Sequence, residues 1–120
     1  MFRGTLFALA TTLFALPAMA AELIIVEQIG CFYCQLWNDE IAPIYPKTVE
    51  GKTAPLRRID LYEKQPTDLT FNSRVQFTPT FILVEDGQEL ARIEGYPGED
   101  FFWWVLSEMM RDNIGFDGQS

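Results

Sequence analysis

The 120-residue sequence contains no histidine, only two cysteines and no surplus of positive charge. Without histidine there is no imidazole ligand for a metal and no imidazole general base. Two cysteines alone do not complete a tetrahedral zinc site, so no metal site is expected. Lys and Arg number 9 against 17 Asp and Glu, giving a net charge of −8. Such a chain has little with which to neutralise phosphates, so nucleic acid is not an expected partner. The body of the chain has no apolar run of the roughly 18 residues that a membrane-spanning helix needs. What is present is an ordinary globular balance, 48% hydrophobic and 22% charged, at a length that suits one domain.

The first twenty residues stand apart. Arg3 supplies a positive start, Leu6 to Leu16 is apolar except for Thr11 and Thr12, and Pro17-Ala18-Met19-Ala20 ends in an A-x-A pattern. These are the parts of a secretory signal peptide, with cleavage expected after Ala20. Residues 1–20 are therefore read as leader and 21–120 as the domain. Loss of Arg3 with the leader takes the net charge to −9. A compartment outside the cytoplasm, the bacterial periplasm above all, permits thiol oxidation and gives the two cysteines a redox meaning.

The remaining chain alternates strands and helices. Glu22 to Glu27 is rich in apolar β-branched residues and reads as a strand buried on both faces. Cys31 opens a helix to about Ile41, ended by Pro43 and Pro46. Leu56–Asp60 is a second strand, and Pro55 before it suits a sheet edge. Thr67–Arg74, with Thr67 as cap, reads as a weak helix or turn. Thr80–Val84 and Glu89–Glu94 form a hairpin about Asp86-Gly87. A last helix starts at Glu99 and Asp100 and runs to about Arg111, after which the tail is expected to fray. Phe102, Val105, Leu106 and Met109 share its core face. Phe101 and Trp104 extend that face, and Trp103 is the hardest of the aromatics to bury. The order predicts an α/β fold: a four-stranded mixed sheet, its first two strands parallel, with helices on both faces.

Cys31-Phe32-Tyr33-Cys34 is the chemical motif. The free N–H groups and dipole of a helix start stabilise an anion, so the Cys31 thiolate is favoured there. Cys34, one turn further in, is within disulfide reach. Attack by Cys31 on a disulfide and resolution by Cys34 is the chemistry this arrangement supports. An inert structural disulfide and a thiol metallochaperone for a soft ion such as Cu(I) are the competing readings. The strand–C-x-x-C–helix context in an exported chain favours the redox one. Phe32 and Tyr33 either contact a partner or cover the helix start. Arg57-Arg58 reads as a solvated strand edge.

With Thr78-Pro79-Thr80-Phe81, Asp86-Gly87 and Gly95-Tyr96 added to this motif, the sequence resembles the thioredoxin superfamily. The resemblance implies a thioredoxin-like fold and a thiol–disulfide oxidoreductase whose redox-active disulfide is its only cofactor. It also implies a cis peptide bond before Pro79 and substrate pairing along the backbone of Thr78, so Phe32, Tyr33, Thr78 and Pro79 are the substrate-binding candidates. Glu27-Gln28-Ile29-Gly30-Cys31, Ile44-Tyr45-Pro46-Lys47-Thr48, Pro55-Leu56-Arg57-Arg58 and Glu94-Gly95-Tyr96-Pro97-Gly98-Glu99-Asp100-Phe101-Phe102-Trp103 narrow it. These segments are similar to the SoxS-type periplasmic thioredoxins of sulfur-oxidising bacteria. That similarity implies a monomer that reduces a partner's disulfide or blocked cysteine. The implied partner is a sulfur-carrier protein of a thiosulfate-oxidising system, and electrons arrive from a membrane thiol donor. A periplasmic oxidant or general disulfide exchanger is the alternative enzyme.

Three departures stand out. Phe32-Tyr33 replaces the Gly-Pro of ordinary thioredoxin between the cysteines. The His common in oxidising members is absent. No residue clearly matches the buried Asp of ordinary thioredoxin, which leaves Glu27 as the nearest candidate proton acceptor for Cys34.

Overall fold

The computed structural model describes residues 4–12 and 20–119. Residues 1–3 and 13–19 of the expected leader lie outside the described residues. Among the described residues no helix is long and apolar enough to cross a membrane.

Strand β1, Ala21–Glu27, buries every side chain from Leu23 to Val26. It does so because it lies inside the sheet, between β2 (Leu56–Asp60), to which it is parallel, and β3 (Thr80–Glu85), to which it is antiparallel. Strand β4, Gln88–Glu94, completes the order β2-β1-β3-β4. Pro55 leads into the edge strand β2, where its missing N–H costs no ladder bond. Its carbonyl accepts from Leu23 N–H at 3.0 Å. The β3–β4 turn is Asp86-Gly87 with φ of 53° and 79°, the pair of positive values that a two-residue hairpin favours.

Helices α1 (Phe32–Glu40) and α3 (Glu99–Ile114) pack on one face of the sheet. Leu23, Ile25, Phe81 and Leu83 meet Trp37, Phe102, Leu106 and Met110 there. Between α1 and β2 the chain forms two short elements that the prolines at 43 and 46 had hidden from sequence reading: a 3-10 turn at Tyr45–Lys47 and a helix α2 at Val49–Thr53. The Thr48 hydroxyl accepts from Gly51 N–H at 3.0 Å and donates to Tyr45 O at 2.6 Å, capping α2 and tying it to the turn. Gly51 is needed for space: a Cβ there would lie 1.8 Å from Tyr45 O. Gly51→Ala is expected to cost about 2 kcal/mol although Ala is the better helix former. Denaturant unfolding checks this; an unchanged or higher midpoint would show that the backbone yields.

The expectation of helices on both faces is corrected here: among the described residues no helix covers the opposite face. Turns across 61–77 close it instead, inserting Leu69 and Val75 against Ile24, Val26, Ile82 and Val84. Thr67–Arg74 is thus irregular, because its polar groups are bound from outside. Thr70 N–H donates to Gly87 O at 2.8 Å, and Asn72 N–H to Glu89 Oε1 at 3.1 Å. Arg92 reaches Ser73 O at 2.8 Å. Glu89 and Arg92 form a buried ion pair beneath this segment. Burial by itself would raise the Glu89 carboxyl, but bonds from Arg92 and the Asn72 N–H hold it below the usual range.

Three sequence expectations for α3 are corrected. The helix runs to Ile114 and not Arg111. The tail is anchored, since Gly115 caps the helix in the left-handed region and Phe116 returns, buried, with its N–H on Met110 O. Trp103 is the half-buried aromatic, stacked on Tyr45 at 6.1 Å between centroids, whereas Phe101 and Trp104 are exposed. With Phe102 and Leu106 aimed at the sheet, the helical period carries Trp103 to the flank where Tyr45 waits. It turns Phe101 and Trp104 outward.

Candidate active site

At the end of β1 the chain turns through Gln28, Ile29 and Gly30, with Gly30 at φ 81°. Gln28 O accepts the N–H of Cys31 at 3.3 Å. Cys31 is the N-cap of α1, and its Sγ accepts from Cys34 N–H at 3.1 Å. The two cysteines are joined as a disulfide with Cα atoms 5.2 Å apart. Cys31 is half-buried and Cys34 nearly inaccessible at 4% exposure. The first turn of α1 carries no acidic residue. On reduction, the outer sulfur therefore faces solvent with a helix N–H directed at it and no neighbouring carboxylate on the helix to oppose a thiolate. The inner sulfur sits behind it, out of reach of a large substrate.

A shallow recess of about 380 Å³ runs beside the pair, lined by Glu27, Gln28, Cys31, Cys34, Gln35 and Asn38 among others. Strand alternation puts Glu27 on the face of Leu23 and Ile25, under α1. Its Oε1 accepts from Asn38 Nδ2 and from Arg58 NH1, each at 2.8 Å. Arg58 is thus no idle strand-edge charge: it pairs with Glu27, and its guanidinium lies 5.9 Å from the Trp37 ring centroid. Asn38 Oδ1 is buried and has no partner among the described residues. Sequence reading passed over Asn38 and took Arg58 for a solvated strand-edge charge. The signal for Arg58 was there in the parallel register, which sets Ile25 opposite Arg58 and so points its side chain toward α1.

Thr78 and Pro79 come to the same end of the sheet, where Val26 opposite Thr80 is the last β1–β3 pair. The Thr78–Pro79 peptide is cis. Thr80 Oγ1 donates to Phe77 O at 2.6 Å and Gly95 N–H to Pro79 O at 2.7 Å. Between these pinned carbonyls, the N–H and C=O of Thr78 have no backbone partner among the described residues. Gln28 Nε2 donates to Thr78 Oγ1 at 2.6 Å, a contact that motif reading did not single out. Phe32 and Tyr33 are both largely exposed, with rings edge to face at 5.3 Å. Ile29 and Phe77, in the turns that lead to Cys31 and to Pro79, are exposed as well.

A thioredoxin-like domain family matches residues 21–110. The chain is 47% identical to the periplasmic thioredoxin SoxS from Paracoccus pantotrophus, solved in its reduced form. That match covers 75% of this chain and 95% of the other, with a TM-score of 0.74. Thioredoxin from Malassezia sympodialis (17% identity, 76% of each chain, TM-score 0.53) and thioredoxin-2 of the malaria parasite (18%, 75% and 84%, TM-score 0.54) share the fold. No curated protein matches the chain.

Proposed function

This chain belongs to the thioredoxin-like domain family and is a thiol–disulfide oxidoreductase, and on that premise we propose that it is a periplasmic reductant of a partner protein. Residues 1–20 are the leader that takes it there. The carrying observation is the pairing of a half-buried Cys31 sulfur, facing the Cys34 N–H at the start of α1, with a buried Cys34. The 47% identity to the periplasmic thioredoxin SoxS supports the compartment. A sulfur-carrier protein with an oxidised or blocked cysteine is the proposed substrate, and a membrane thiol donor the proposed source of electrons. No cofactor beyond the cysteine pair is required.

The reduced protein starts the cycle. The Cys31 thiolate attacks one sulfur of the partner's disulfide, and the partner's other sulfur departs as thiolate and takes up a proton. Cys34 loses its proton and attacks Cys31 Sγ in the mixed disulfide, releasing the partner's second thiol. Two electrons pass to the partner, and this chain is left with the Cys31–Cys34 bond. Glu27 is the acceptor proposed for the Cys34 proton. It lines the recess of both cysteines, and its Oε1 is held by Arg58 and Asn38. Thr78 offers its free backbone edge to an extended substrate segment, with Pro79 fixed behind it and Phe32 and Tyr33 beside it.

The equilibrium potential of the purified protein against a glutathione series tests the direction. A value near or below about −220 mV is expected; one near about −120 mV would make the protein an oxidant and overturn the reductive reading.

A further inference from the structure

We infer that Gln28 is a positioning residue, clamping the Thr78 substrate edge at a fixed place relative to the attacking sulfur. The inference rests on the proposed use of Thr78 in substrate pairing and goes beyond it. Past the last β1–β3 pair, Val26 with Thr80, the sheet no longer holds the two chains together. Residues 28–30 then lead to Cys31, while residues 77–79 form the opposing loop. The side chain of Gln28 crosses between them to Thr78 Oγ1 at 2.6 Å. Its own carbonyl holds the Cys31 N–H at 3.3 Å. One residue therefore touches the backbone of the nucleophile and the side chain of the residue that presents the substrate edge.

The other restraints on that loop act elsewhere. Phe77 O is held by the Thr80 hydroxyl and Pro79 O by Gly95 N–H. Neither bond reaches toward Cys31. Gln28 is the tie that sets the loop's separation from the cysteine turn, and Gln28 and Thr78 are both half-buried, where a hydrogen bond is less exposed to exchange with water. A disulfide attack needs the incoming sulfur aligned with the bond it breaks, so a loose edge costs rate with an intact nucleophile. A small disulfide does not use the edge and does not feel the clamp.

Insulin as protein disulfide and hydroxyethyl disulfide as small one make the test, with Gln28→Ala, Thr78→Val and the double variant. The ratio of kcat/KM on insulin to that on hydroxyethyl disulfide is expected to fall about tenfold in each single variant and no further in the double. Amide exchange at Gly95, whose N–H is held by Pro79 O of this loop, is expected to quicken about tenfold in Gln28→Ala, with the Ile82 amide unmoved. An unchanged ratio in Gln28→Ala, a double variant about a hundredfold down, or unaltered exchange at Gly95 overturns the clamp. A wild-type chain inert toward insulin counts against the reductase reading, and the exchange arm still decides whether Gln28 holds the loop.

Discussion

Cys34→Ser is expected to leave the protein covalently attached to its partner. Cys31 Sγ retains the helix-start environment, so the first attack proceeds. Serine cannot expel the partner, because an alkoxide at that position is far too basic to form and too poor a nucleophile toward sulfur. The mixed disulfide should accumulate as one or a few reductant-sensitive adducts on a non-reducing gel. The partner is then identified by mass, with a carrier-type protein expected. Cys31→Ser gives the opposite result: no adduct, and exchange slower by about a thousandfold or more, since the remaining cysteine is at 4% exposure. An adduct formed equally by Cys31→Ser would reverse the assigned roles. A Cys34→Ser protein that alkylates readily at Cys31 yet captures nothing would remove the protein-substrate reading.

The second large effect is structural. Trp37 is fully buried, with Phe81, Phe102 and Tyr45 at 5.2, 5.9 and 6.4 Å between ring centroids and Arg58 over its face. It joins α1 to the sheet, to α3 and to the turn before α2. Trp37→Ala is expected to cost about 4 kcal/mol, combining lost transfer energy with a cavity that three rigid rings cannot collapse to fill. Against the usual total of about 5–15 kcal/mol, this leaves a marginal domain and lowers Tm by roughly 20 °C. Denaturant and thermal unfolding of the oxidised protein measure it. A loss below about 1 kcal/mol would show that the aromatic cluster repacks. Trp37→Phe, which retains a ring, should recover most of the difference.

How much of this was legible beforehand follows the range of each cause. The run Leu23–Val26, Pro55 at an edge, the Asp86-Gly87 turn and the cysteine spacing are local signals, and each found its expected place. Segment 61–77 was harder. Its conformation depends on Glu89 and Arg92 of a strand still to come, and no local propensity encodes that. Helix α2 is barely more than a turn and rests on Thr48 and Gly51. At the site, the cysteines were plain, but Gln28, Asn38 and Arg58 take their meaning from neighbours 50, 11 and 31 residues away. Trp103 shows the same limit: that it, and not Phe101 or Trp104, is the half-buried neighbour of Phe102 depends on where Tyr45 sits.

The placing of β1 has a consequence for the order of folding. It is the first strand in the chain, yet it lies inside the sheet, and its partners are 56–60 and 80–85. A chain emerging from its N-terminus therefore exposes the apolar run Leu23–Val26 long before either neighbour exists, and β1 is not flanked on both sides until Glu85 has followed. Pairings this distant in sequence make assembly slow and late, with loop-closure entropy paid before any ladder forms. Until then, the unpaired strand Leu23–Val26 is the segment most exposed to wrong partners, and a holding chaperone would find its target there.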